Sequence, residues 1–142
     1  MISASNIDPQ IIQAYLETHY CVDGPPSFVI QIGVVNDALK KLYRQSKFDC
    51  CAFMTACNPF SQNLGDAVNA NRQAVLAHDL NKRSLTYLHG TGRHPTGNWP
   101  GEPSYFVLGL SRESARVLGQ QYEQNAIVWC GADAVPQLIV LR

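Results

Sequence analysis

The chain has 142 residues, 46% of them hydrophobic and 15% charged, which is the composition of a globular domain and not of a disordered segment. Eleven basic residues balance eleven acidic ones; nucleic-acid binders usually carry a basic surplus, so no nucleic-acid partner is expected. The longest nearly apolar run, FVIQIGVV, falls far short of the roughly 20 residues a membrane helix needs, and no membrane role is expected.

A length of this order suits one domain over residues 1–142. The opening stretch, MISASNIDPQIIQAYLETHY, has neither a basic region nor a long apolar core. A secretory leader is therefore not expected, and the cytoplasm is the expected location. Asn6 or Asp8 can cap a first helix of about fifteen residues, with Pro9 in its first turn and Ile11, Ile12, Tyr15, Leu16 and His19 as its stripe. DGPPS breaks the chain, and FVIQIG reads as a strand. Asn36 can cap a second helix that buries Ala38, Leu39, Leu42 and Tyr43. CCAFMTA is apolar on both faces and is expected to be a central strand.

A third helix is expected over residues 64–81, capped by Ser61 or Asn63 and buried through Leu64, Ala67, Val68, Val75 and Leu76. SLTYLHG and SYFVLGL read as strands separated by TGRHPTGNWPGEP, a connector too long for a tight hairpin and rich enough in glycine and proline to be a binding loop. Ser111 can cap a fourth helix, with Leu110 stapled onto Ala115, and NAIVWCGA and PQLIVL close the chain as a hairpin. The order αβαβαββαββ predicts an α+β or mixed α/β fold, with about four helices packed on a sheet of about six strands.

Five cysteines include the adjacent Cys50 and Cys51, whose side chains point to opposite faces of a strand, and no CxxC pair occurs. Buried free thiols are expected, and no structural metal site or cofactor. His89 and His94 share the glycine-rich connector but have no clear acidic partner for a metal ion.

The chemistry concentrates at corners. FMTACNPFSQN, residues 53–63, runs from a strand into Asn58-Pro59 and then towards a helix, placing Asn58 and Ser61 at a strand end. Crevices beyond strand ends and helix N-termini attract ligands, whereas Asn-Pro turns commonly satisfy their own backbone. Asn69 and Arg72 share one helix face, where a guanidinium needs a carboxylate such as Glu102 or a ligand anion. Pro103 restrains Glu102, whose held carboxylate can act as base, ligand anchor or salt-bridge partner and is the only sensible general base if the protein is an enzyme. Trp99 beside it is a candidate cover or stacking platform. Ser104 has no evident His-Asp pairing around it. Gln124 and Asn125 lie between a helix end and a strand; a left-handed cap explains Asn125, and both amides are also candidates to face the crevice of Asn58. Cys57 is read as a buried thiol before a nucleophile.

Taken together, FMTACNPFS, the Asn69-x-x-Arg72 pair, GTGRHPTGNWPGEPS and YEQNAIVW resemble the bacterial family catalogued as domain of unknown function 3293. The resemblance runs from about Tyr20 to the end. It implies that Asn58, Ser61, Asn69, Arg72, Gly90, Gly92, Trp99, Glu102, Ser104, Gln124 and Asn125 belong to the family's pattern, with His94 departing from an acidic position. It implies a small single-domain protein and brings no assigned activity.

The leading expectation is a pocket for a polar or anionic small molecule, a nucleotide-like one included, formed by Asn58, Ser61, Asn69, Arg72, Glu102, Ser104, Gln124 and Asn125 under Trp99. Arg72 would neutralise the anion and Glu102 would fix Arg72 or act as a base. The rival expectation is a protein-interaction or regulatory module whose polar network only locks the long connector to the sheet.

Overall fold

The computed structural model describes residues 6–97 and 101–142, so Trp99, the expected cover, lies outside the described residues. Helix α1 (Pro9–Glu17) is capped by the Asp8 carboxylate, which accepts from the Gln10 N–H at 2.8 Å. It ends after nine residues, short of the expected fifteen, because Thr18 turns extended. The β-branched and aromatic run that follows makes a strand instead, β1 (His19–Val22), in which Tyr20 and Val22 are buried. His19 therefore belongs to a strand and not to a helical stripe.

The remaining elements follow the expected order. They are β2 (Phe28–Ile30), α2 (Asp37–Gln45), β3 (Cys51–Met54), α3 (Asp66–Lys82), β4 (Thr86–Arg93), β5 (Glu102–Leu108), α4 (Arg112–Gln121), β6 (Ala126–Cys130) and β7 (Pro136–Val140). Asn36 caps α2 by accepting from the Leu39 N–H at 2.8 Å, and Ser111 caps α4 by accepting from Ser114 at 3.1 Å. Neither Ser61 nor Asn63 caps α3. Gly65 holds that position, and Asn63 accepts from the Gly65 N–H just outside it.

The fold is α+β, with seven strands in the order β2-β1-β4-β5-β3-β6-β7, every neighbouring pair antiparallel. The extra strand is β1. The connector is shorter than its sequence suggests, because Thr91, Gly92 and Arg93 complete β4, and Glu102 and Pro103 begin β5. Alternation along β3 sorts the core into two layers. Ala52 and Met54 join Tyr105, Val107 and Ile127 under α3 and α4, which contribute Leu76, Leu80, Ala115 and Leu118. Cys51 and Phe53 join Val22, Ile30, Phe106 and Val128 on the opposite face, where α2 contributes Leu39.

The expected stripe of α3 is mostly wrong. Val68 and Val75 are about half exposed, at 46% and 51%, and the buried positions are Gln73, Leu76 and Leu80. The inward face of this helix carries Asn69, Arg72 and Gln73 in its first half because the strand ends beneath it offer backbone groups that need partners.

Among the described residues, no helix is long and apolar enough to cross a membrane. All five cysteines are free, and no cluster of three or more His, Cys, Asp or Glu is placed to hold a metal among the described residues.

Candidate functional site

The chain after β3 makes a tight corner in which Asn58, Phe60 and Ser61 all have positive φ, at 49°, 54° and 62°. None of the three is glycine, so the conformation is costly and must be held from outside. It is. The Phe60 N–H donates to the Glu123 carbonyl at 2.7 Å, and Gln124 Nε2 donates to the Cys57 carbonyl at 3.1 Å. Asn125 Nδ2 donates to Ser61 Oγ at 2.8 Å, and the Tyr15 hydroxyl lies 2.7 Å from the same oxygen. The left-handed residue after α4 is Glu123, with φ 60°, which leaves Asn125 free of the capping role its sequence position suggests.

A second set of contacts fixes the other side of the corner. Asn69 Oδ1 accepts from the Asn58 N–H at 2.9 Å, and Asn69 Nδ2 donates to Asn58 Oδ1 at 2.7 Å. Asn58 Nδ2 then donates to Glu102 Oε2 at 2.9 Å. Gln73 Oε1 accepts from the Ala56 N–H at 2.9 Å while its Nε2 donates to the Pro103 carbonyl at 3.1 Å. Thr55 Oγ1 donates to that same carbonyl at 2.7 Å and accepts from the Cys57 N–H at 3.0 Å. Apart from the bond between Thr55 and the Cys57 N–H, the corner side chains thus bond across the fold and not to their own turn.

Arg72 is occupied. Its Nε donates to the Ala56 carbonyl at 2.6 Å, one terminal nitrogen donates to the Tyr122 carbonyl at 2.8 Å, and the other meets Glu123 Oε1 at 3.4 Å. Glu102, the partner expected for it, bonds to Asn58 instead.

A cavity of about 700 Å³ lies between α1 and the sheet. Glycine and other small residues hollow the sheet face beneath it. Antiparallel partners share a face, so Tyr20, Gly92 and Glu102 form one row across β1, β4 and β5. Val22, Gly90 and Ser104 form the next. Phe53 lies opposite Val128, and Val128 opposite Leu138, completing an apolar floor across β3, β6 and β7. The Phe53 ring takes up the space above Gly90, where a Cβ would stand 2.7 Å from Phe53 Cε2. Beside Gly92 the space stays open, its nearest neighbour being Thr18 Cγ2 at 3.7 Å. Helix α1 covers the hollow with Ile11, Ala14 and Tyr15. Its C-terminal end is tied across the rim where His94 Nε2 meets Glu17 Oε1 at 2.9 Å, and the Tyr20 hydroxyl donates to the Tyr15 carbonyl at 2.6 Å.

Of the residues singled out by sequence, Asn58, Ser61, Glu102, Ser104 and Gln124 line this cavity, and Arg72, Asn69 and Asn125 do not. A second hollow of about 520 Å³ takes in Asn69, Gln73, Asp66 and Cys57, and it shares Asn58 and Glu102 with the first. The pair Asn58–Glu102 therefore stands between the two. Sequence reasoning gave Tyr15, Tyr20 and Thr55 no place at the main cavity, read Gly92 and His94 only as parts of the connector and of the family resemblance, and passed over Gln73 in the network behind it. The signal for Gly92 was its spacing of two from Gly90, which puts both glycines on one face of a strand.

Burial pushes the Glu102 carboxyl above the usual carboxylate range, and the hydrogen bond from Asn58 offsets only part of that. Burial likewise raises the Tyr20 phenol and the Cys57 thiol, so both keep their protons near neutral pH. A protonated Cys57 is no nucleophile. Apart from Glu102, the charged or titratable side chains among the described lining residues are Asp8 and His94 at the rim, together with the two tyrosines.

The model of the family described as protein of unknown function (DUF3293) matches residues 54–127, a little over half of the chain. The chain belongs to this family. The DUF3293 match takes in the corner, Glu102 and the Gln124-Asn125 pair, whereas α1, Tyr15 and Tyr20 precede it. Neither the curated proteins nor the solved structures contain a match to the chain.

Proposed function

We propose that this protein binds a small molecule in the cavity beneath α1, with Glu102 as the group that meets the ligand's polar end and that can carry a proton. The observation behind this reading is one carboxylate, held by Asn58 and facing a cavity with an apolar floor. Ligand sites are typically concave and mostly apolar, with a few convergent polar groups and a perturbed titratable residue among them. Burial raises the pKa of Glu102, which gives this lining carboxyl the capacity to hold a proton and pass it to a ligand.

An anionic ligand draws no support from Arg72, whose guanidinium is spent on two backbone carbonyls and Glu123 and does not line the cavity. Arg72, Gln73 and Asn125 serve as braces for the corner, which is the structural part of the network. Asn58, Ser104 and Gln124 remain polar groups that a ligand can reach from the cavity.

The reading is tested by ligand-observed NMR with a fragment library, comparing wild type with Gly92→Leu. Gly92 lines the cavity and a Cβ there meets only Thr18 Cγ2 at 3.7 Å, so fragments that bind wild type are expected to lose binding to the folded variant. A library with no binders, or binders that ignore the substitution, would reject the cavity as the site.

A further inference from the structure

The cavity's charges say what kind of head group fits it. Among the described lining residues there is no lysine or arginine, and the innermost charge is the carboxylate of Glu102. Its orientation is not free. Asn69 donates to Asn58 Oδ1, which obliges Asn58 to present its NH₂ to Glu102 Oε2. The other carboxylate oxygen, Oε1, has no protein donor among the described residues, and it is not sealed from the hollows that Glu102 lines. A held carboxylate with one oxygen satisfied and one open is a site for a donor. The walls beside it, Phe53 and Tyr20, are aromatic rings in edge contact at 5.2 Å, and ring faces attract cations. Phe53, Val128 and Leu138 offer apolar surface farther along the floor.

We propose that the cavity takes an organic cation, with an ammonium or amidinium head on Glu102 Oε1 and an apolar body over Phe53, Val128 and Leu138. This inference rests on the cavity reading above and narrows it to a chemical class. An anion placed there would face a carboxylate with no lysine or arginine among the described lining residues to offset it, whereas a cation would bring the missing partner. A cation beside Glu102 also favours the ionised carboxylate against the effect of burial, so binding releases a proton wherever Glu102 is protonated in the free protein. Affinity for the cation is therefore expected to climb with pH until Glu102 is ionised, and then to level off.

The experiment uses ligand triplets, each one apolar skeleton carrying in turn an amine, an alcohol or a carboxylate, tryptamine, tryptophol and indole-3-acetate being one set. Binding to wild type, Glu102→Gln and Gly92→Leu is measured by NMR titration and calorimetry. In wild type the amines are expected to bind at least tenfold more tightly than their alcohols, and Glu102→Gln to remove that advantage without weakening the alcohols. Alcohols or carboxylates that bind as well as the amines, with all three lost in Gly92→Leu, would overturn the cation while leaving the cavity standing. An amine preference that survives Glu102→Gln would also overturn it. Triplets of which no member binds wild type would reject both the cation and the cavity.

Discussion

Asn58 and Asn69 hold each other by two hydrogen bonds, one from the Asn58 backbone N–H at 2.9 Å and one to its side-chain oxygen at 2.7 Å. The pair decides which end of the Asn58 amide faces Glu102. Loss of Asn69 leaves a part-buried N–H without its acceptor and lets the Asn58 side chain turn. Asn69→Ala is expected to lower stability by about 2 kcal/mol, the usual scale for an orphaned polar group together with a lost neutral hydrogen bond. Urea denaturation measures it. A change within about 0.5 kcal/mol, the range of a bland surface substitution, would mean that the pair does not hold the corner.

Glu102 makes the free protein less stable as pH rises. Its carboxyl in the folded state holds a proton more tightly than in the unfolded chain, because burial disfavours the charge. Between the ordinary carboxylate pKa of 4.5 and the raised folded value the native state binds more protons. Stability attributable to this group is thus present below pH 4.5 and declines up to the folded value. Glu102→Gln keeps the shape, can still accept from Asn58, and removes the buried charge. The variant is expected to melt at a higher temperature than wild type near pH 7 and to show a smaller difference near pH 4. Melting curves across that range check the sign, and a variant that is less stable at pH 7 contradicts it.

The fold was largely legible, because caps and apolar runs report local structure. Asn36 and Ser111 cap the helices they were expected to cap, and the middle of CCAFMTA, Cys51–Met54, is a buried strand. The strand at His19–Val22 was hidden because Tyr15, Leu16 and His19 also fit a helical period, and pairing with β2 and β4 settles the matter only in three dimensions. Helix α3 misled for a related reason. Its valines at 68 and 75 look like a stripe, but the layer beneath its first turns consists of strand-end carbonyls and amides, which select Asn69, Arg72 and Gln73. Asn58 and Glu102 stand out in the sequence as polar residues at corners, and in the fold they hydrogen-bond to one another. What the sequence left open was the direction each one faces, since Arg72 turns to backbone carbonyls and Glu102 to an amide and a cavity.

Arg72 therefore has a testable structural role. It bridges the Ala56 carbonyl at the end of β3 and the Tyr122 carbonyl at the end of α4, two points far apart in sequence. Arg72→Ala leaves both carbonyls without that donor, and a loss of about 3 kcal/mol is expected from two charge-assisted hydrogen bonds. Arg72→Lys is expected to recover little of it, because an ammonium on a flexible stem lacks the planar fork that reaches both oxygens. Chemical denaturation of the two variants gives the comparison. Full recovery by lysine would show that charge alone matters and that the fork geometry does not.

The glycines of β4 separate structure from function most sharply, because they share a face and differ in what lies above them. A Cβ at Gly90 would stand 2.7 Å from the Cys21 carbonyl oxygen and 2.7 Å from Phe53 Cε2, and neither the backbone of β1 nor a ring packed against Tyr20 gives way easily. Gly90→Ala is expected to destabilise by about 2 kcal/mol, in the range of core overpacking. A Cβ at Gly92 meets only Thr18 Cγ2 at an ordinary 3.7 Å. Gly92→Ala is accordingly expected to be neutral or to stabilise by about 0.5 kcal/mol, since alanine narrows the unfolded ensemble. Larger side chains at 92 fill the cavity in step with their volume. Binding of any cavity ligand should therefore fall from alanine to valine to leucine while the melting temperature holds nearly level. Thermal melts and ligand titrations on the same samples separate the two effects, and a melting temperature that falls together with binding would show that position 92 has no room for a side chain.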